Sequence, residues 1–316
     1  MPTSIAVVPV IETTSVMEQF GFVSAASINA LAFVGDPLRN DALGMISFDA
    51  AGVQSHAPGG RLSTVDGTLP QPAAANDAPT SPSVNIGGGL RTAYALLANA
   101  PGGLTTGALL LSTGQQDSGT DPATLSRYVP TWVCALGPTA NTALLRQISL
   151  LSHGQYLYVP TPADISAAVN QIRGQLPGWT TLLNQSKAVE ARGFWLQPVT
   201  IAPGCSAAQF SVVWENPHLT CTSSSNPGPN QISVTLVQPP GITLATPPSA
   251  CGGGYCVFNV RDPVSSPGPW YVQVMYPDGA TLPIAIGVFG QYGDAGVKLE
   301  IVPSGSPRAG HALVAQ

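Results

Sequence analysis

The feature that most constrains this chain is a change of hydrophobic rhythm part-way along it. Up to about residue 175, strand-sized apolar runs alternate with helix-sized amphipathic ones, the pattern of a mostly parallel sheet covered by helices on both faces. SIAVVPVI at 4–11 reads as a buried strand. Residues 17–34 read as a helix, with Phe20, Val23, Ile28, Leu31 and Val34 near helical spacing. LGMISF at 43–48 is the next strand, followed by a Gly/Pro/Ala-rich loop from Ala57 to Pro82. A helix over 87–99 leads into the strands GALLLS at 107–112 and PTWVCAL at 130–136. The helix TANTALLRQISLLSHG, the strand YLYV and a last helix with Thr161 or Asp164 near its start complete the series. From Pro198 the runs become short, alternating and punctuated by Pro and Gly, as in FSVVW, ISVTLVQP, YCVFNV, WYVQVMY and PIAIGVFG, which indicates an antiparallel sandwich. Trp214 and Trp270 are its expected core anchors.

The reading is therefore α/β plus all-β: a doubly wound, mostly parallel sheet over 1–176, a linker at 177–197, and an antiparallel β-sandwich over 198–303. Residues 304–316 form a tail or the start of a further domain. Composition narrows what such a chain can do. Charged residues make up only 9%, and the 11 Lys and Arg form no basic run, so an electrostatic nucleic-acid binder is excluded. Hydrophobic residues at 44% are enough for ordinary cores, which excludes wholesale disorder. No apolar run approaches the ~18 residues of a membrane span.

Cys134 lies alone in the apolar run TWVCAL and reads as a buried thiol. Cys205, Cys221, Cys251 and Cys256 cluster in the loop-rich second half and suggest disulfides and an oxidising compartment. Their spacing favours local bridges 205–221 and 251–256, although four cysteines permit three pairings. Zinc is the competing reading, but no two of these cysteines have C-x₂-C spacing. MPTSIAVVPV lacks a charged n-region and a cleavage site, so secretion requires a signal removed or lying outside this sequence.

The runs AVVPVIETTSVM, DALGMISFDAAG, SVNIGGGLRTAYALL, GALLLSTGQQDSG and ISLLSHGQYLYVPTPADISAAVNQI, spread over residues 3–175, together resemble a von Willebrand factor type A domain. The resemblance implies a site at the carboxyl ends of the strands where a D-x-S-x-S loop, a second-loop Thr and a third-loop Asp hold a divalent cation. Hard oxygen ligands of that kind suit Mg²⁺ or Ca²⁺. On this sequence the first Asp position is Glu12, the two hydroxyl positions are Thr14 and Val16, the second-loop Thr is Val84, and the third-loop Asp is Thr113. Only Glu12, Thr14 and Thr113 keep oxygens, and one of them is anionic, so the expectation is a degenerate metal site with no cofactor, or weak Mg²⁺ or Ca²⁺ at most. Ser15, Ser83 and Asp117 are possible substitute oxygens. Open α/β sheets bind at this edge, so Glu12, Thr14, Ser15, Asn85, Thr113 and Asp117 form a candidate partner-binding rim. The competing reading is that these side chains serve only loop backbone and helix caps.

GGGL at 87–90 lacks the Lys-Ser/Thr of a P-loop, and its glycines read as permitting close approach of the helix start to neighbouring loops. His56, His153, His218 and His311 are scattered, and neither G-x-S-x-G nor H-E-x-x-H occurs, so no catalytic residue is assigned. The sandwich reads as a spacer module. The expected function is non-enzymatic: an extracellular or cell-surface protein for protein–protein adhesion or self-assembly. The alternatives are a metal-dependent adhesion domain, or a hydrolase whose triad is assembled from distant residues.

Overall fold

In a computed structural model the chain is described at residues 5–34, 42–50, 52–55, 63–64, 83–125, 129–190, 192–239, 242–243, 248–261, 263, 268–276 and 281–292. The expected tail 304–316, His56, His311 and nearly all of the loop 57–82 lie outside these residues.

The first half contains β1 (Ile5–Glu12), α1 (Ser15–Gln19), α2 (Phe22–Val34), β2 (Ala42–Leu43), β3 (Ile46–Phe48), β4 (Val53–Ser55), β5 (Ser63–Thr64) and α3 (Ile86–Ala98). It continues with β6 (Thr105–Ser112), α4 (Pro122–Leu125), β7 (Thr131–Leu136), α5 (Thr142–Leu151), β8 (Tyr156–Val159) and α6 (Ile165–Arg173). The sheet order β4-β3-β1-β6-β7-β8 is parallel except for the β3–β4 hairpin at its edge. Counting the six main strands in sequence, that is 3-2-1-4-5-6, the doubly wound order. Alternate residues of β1 explain the two faces: Ile5, Val7 and Ile11 join one core with α2 and α6, whereas Ala6, Val8 and Val10 join another with α3 and α5. Pro9 falls opposite the gap between β2, which pairs at Ala6 and Val7, and β3, which pairs from Val10. Proline has no amide to give a ladder; the expected single strand 43–48 is accordingly two short ones.

The helix expected over 17–34 is two helices, because Gly21 takes a left-handed φ of 73° that ends the first. Phe20 is consequently 48% exposed rather than in the core.

The second half contains β9 (Trp179–Val189), β10 (Gly193–Ile201), β11 (Cys205–Val213), β12 (Thr220–Thr222), β13 (Gln231–Gln238), β14 (Ile242–Thr243), β15 (Ala250–Gly252), β16 (Tyr255–Arg261), β17 (Gly268–Tyr276) and β18 (Leu282–Tyr292). They form two facing sheets, β15-β16-β11-β18-β9 and β10-β17-β13-β12 with β14 beside β13. Trp214, Trp270 and Phe210 are fully buried between them. The stretch 177–197 is therefore not a linker: β9 pairs with β18 in one sheet and β10 with β17 in the other. Polar composition hid β9, which exposes Thr, Asn, Gln, Ser and Lys along most of its length.

The two halves share a core. Val213, Tyr255, Val257, Phe289 and Trp179, on the outer face of the sandwich, pack into the same cluster as α2, α6 and one face of the parallel sheet. α2 carries no charged residue in FVSAASINALAFV and is buried on both sides, as an all-round apolar helix must be. Across this seam the buried Arg173 lies over the Phe33 and Trp179 rings, its Nε donating to Gln209 Oε1 at 3.1 Å.

Candidate functional site

The strand order reverses beside β1, and ligand crevices of doubly wound sheets open at such a switch point. There the carboxyl ends of β1 and β6 place Glu12 next to Ser112 and Thr113. Glu12 is 0% exposed, and both carboxylate oxygens are taken up by neighbours. Oε1 accepts from Thr14 Oγ1 at 2.7 Å and from Thr113 Oγ1 at 2.9 Å. Oε2 accepts from Ser112 Oγ at 2.7 Å, the Thr113 amide at 2.8 Å and Thr113 Oγ1 at 2.9 Å. The donors are themselves fixed: Thr14 Oγ1 caps α1 at Met17 N, Ser112 Oγ accepts from Gly114 N, and Thr113 O accepts from Asn141 N at the start of α5. Glutamate is one methylene longer than the aspartate the resemblance places here, and the carboxylate of this longer side chain is within hydrogen-bond distance of both residues at the end of β6.

The rest of the rim is knitted by side chains acting on backbone. Asn85 caps α3 at Gly88 N, 2.8 Å away. Gln116 Oε1 accepts from Ile86 N at 2.7 Å and Gly87 N at 3.4 Å, while its Nε2 donates to Ser118 O and Thr120 O. These are the amides a helix start leaves without intrahelical partners. Asp117 Oδ2 accepts from Val84 N, and its own amide donates to Val84 O. A side chain at Gly87 would place its Cβ 1.9 Å from Thr120 O, so the glycine run does permit the close approach expected of it.

Of the six rim candidates, Glu12, Thr14 and Thr113 come together but are buried, out of a partner's reach. Asn85 is half-buried in its cap, and Ser15 and Asp117 are exposed. A partner-contacting role for Glu12, Thr14 and Thr113 is thereby corrected to an internal one. Sequence reasoning missed Ser112 and Gln116; the hydroxyl directly before Thr113 was the available signal for the first.

The rim's donor set falls short of what a divalent ion demands. It offers one carboxylate whose oxygens already accept hydrogen bonds, two hydroxyls that donate to it, and the apolar, buried Val84 where a hydroxyl ligand would stand. Hard cations need several free oxygens and more negative charge than one carboxylate brings, so these residues do not fit the ion. Among the described residues no group of three or more His, Cys, Asp and Glu could hold a metal.

No protein-family model matches this chain, and no curated protein matches it in sequence. Solved structures are similar in fold. A von Willebrand factor type A protein from Catenulispora acidiphila aligns over 92% of this chain at 14% identity, with a TM-score of 0.49. The ArnB paralog VWA2 from Sulfolobus acidocaldarius aligns over 87% of this chain and 67% of its own length at 13% identity, TM-score 0.43. The pilus adhesin SpaC from Lactobacillus rhamnosus GG aligns over 94% of this chain and 40% of its own at 11% identity, TM-score 0.41. These likenesses concern the fold alone. This chain spans 63% of the length of the Catenulispora protein.

A second, half-buried carboxyl lies away from this rim, at the seam. Glu215 follows β11 with a left-handed φ of 54°, and its Oε1 accepts from Asn29 of α2 at 3.3 Å and from Ser166 of α6 at 3.2 Å. Burial pushes its pKa up to about 7 despite those bonds, with the nearby Asp164 charge adding to the rise. A cavity of about 160 Å³ opens beside it, walled by Ser166, Ser186, Lys187, Val213 and Ile284. No helix among the described residues is long and apolar enough to cross a membrane.

Of the two cysteine pairs expected from spacing, Cys251 and Cys256 face each other across the β15–β16 ladder, whereas Cys205 and Cys221 lie in different sheets. All five are free thiols; Cys134 is fully buried, and burial pushes it up to about 12. Cys205 sits at the start of β11, its thiol on Ala207 O, in a different sheet from Cys221 on β12. The expected 205–221 pair is not brought together.

Proposed function

We propose that this chain is a non-enzymatic, metal-independent module for protein–protein adhesion or assembly at a cell surface or outside the cell. The observation that carries the reading is the Glu12 network, in which the group placed to hold an ion instead fastens the first loop to the end of β6. Such a rim is knitted together and sparsely charged, and a partner meets it through the exposed Ser15, Phe20 and Gln115, with Asp117 the one charged side chain among these contacts. Fusion of the two halves through one core makes the whole a stiff body suited to bearing load or stacking. Its sparse charge, 9% of residues, leaves little repulsion to oppose contact between copies.

Sedimentation of the chain over a wide concentration range, with and without a chelator, tests this directly. Association that ignores the chelator and is lost in the Ser15→Arg/Asp117→Arg variant is the expected result. A chain that remains monomeric throughout rejects self-assembly, and association abolished by the chelator rejects metal independence.

A further inference from the structure

The expected hairpin pair is in place, since Cys251 of β15 and Cys256 of β16 are direct cross-strand partners. The structure adds a third thiol. β12, the edge strand of the other sheet, is pinned to that hairpin by the Thr220–Gly253 bridge and by Gly254 N donating to Leu219 O at 3.3 Å. This docking places Cys221 against the cluster that holds Cys256, at the open edge of the sandwich. Three thiols from three strands and both sheets therefore meet, with Cys256 buried between the half-buried Cys221 and the exposed Cys251.

We propose that this cluster is a thiol–disulfide exchange site, in which Cys221 and Cys256 form an inter-sheet disulfide and Cys251 is the exposed thiol through which it is made and opened. With a small-molecule disulfide RS–SR as oxidant, the Cys251 thiolate attacks one sulfur and expels RS⁻, leaving a mixed disulfide. Cys256 gives its proton to solvent and displaces the second RS⁻, forming Cys251–Cys256. The Cys221 thiolate then attacks the Cys256 sulfur and expels the Cys251 thiolate. Two protein thiols lose two electrons and two protons, and RS–SR leaves as two RSH.

Two physical reasons favour 221–256 as the resting bridge. It closes a far longer loop than the hairpin pair and so removes more freedom from the unfolded chain. It also joins two sheets that the hairpin bridge would leave unconnected. The neighbouring Cys256 thiol lowers the Cys221 pKa, whereas burial raises that of Cys256. A lowered thiol is the better leaving group when Cys251 attacks to reopen the bridge.

The test is to incubate the reduced full chain with oxidised glutathione, trap free thiols by alkylation after unfolding, and map bridges by peptide mass spectrometry. The wild type should yield Cys221–Cys256, with Cys134, Cys205 and Cys251 alkylated, and should melt about 10 °C higher than the reduced chain. Cys251→Ser, a change at an exposed position, should reach the same bridge at least tenfold more slowly, and Cys221→Ser should stop at Cys251–Cys256. A wild-type product that contains Cys205 in a bridge, rests at Cys251–Cys256 or stays fully reduced overturns the proposal, as does an unchanged rate in Cys251→Ser.

Discussion

Glu12 at the rim, fully buried, and Glu215 at the seam, half-buried, are both carboxyl groups at junctions between elements, yet their surroundings assign them opposite work. Glu12 has donors on both oxygens, all supplied by the loops it joins. Glu215 has two donors on one oxygen, Asp164 nearby, and an open cavity beside it. Burial alone therefore does not mark a functional acid; how fully its lone pairs are used decides whether it fastens the structure or responds to solution conditions.

The sharpest way to break this contrast is to remove the rim carboxylate. Glu12→Ala leaves Thr14, Ser112 and Thr113 with unpaired buried donors and should cost about 3–5 kcal/mol in urea unfolding. A loss below about 1 kcal/mol would show that the network is not a fastening. Next comes the seam. A carboxyl raised from 4.5 to about 7 on folding binds a proton more tightly in the native state. Its stabilising effect is therefore full below the unfolded value and is lost as pH rises through about 7. Melting curves of the wild type should fall across that window, and Glu215→Gln should flatten them, being more stable above pH 7 by about 2–3 kcal/mol. Equal slopes in the two proteins would remove Glu215 from the account. The smallest effect belongs to the rim's outer ring: Gln116→Ala exposes the first amides of α3 and should cost about 1 kcal/mol, read by the same unfolding.

Much of the fold was legible because the period of the apolar residues is local. The alternation in β1 and the strand runs of the sandwich needed only neighbouring residues, and Trp214 and Trp270 took the core positions expected of them. What the sequence withheld depends on distant partners. β9 shows little alternation, since the strand has most of its side chains in solvent and is held by pairing to β18. The double burial of α2 was signalled by its lack of charge, but not which surface would cover it. Glu12 was found by position, whereas its meaning rests on Ser112 and Thr113, which arrive only when β6 pairs with β1. The Cys221–Cys256 contact likewise requires the two sheets to close.

The central claim is that Glu12's hydrogen bonds stand where a cation would otherwise be held, and calorimetric titration of the chelator-treated chain with Mg²⁺, Mn²⁺ and Ca²⁺, with melting curves alongside, tests it most directly. The account predicts no saturable heat and no rise in melting temperature with any of the three ions. One-to-one binding that raises the melting temperature in the wild type and vanishes in Glu12→Gln would contradict it, because an ion that prefers the folded state must stabilise that state.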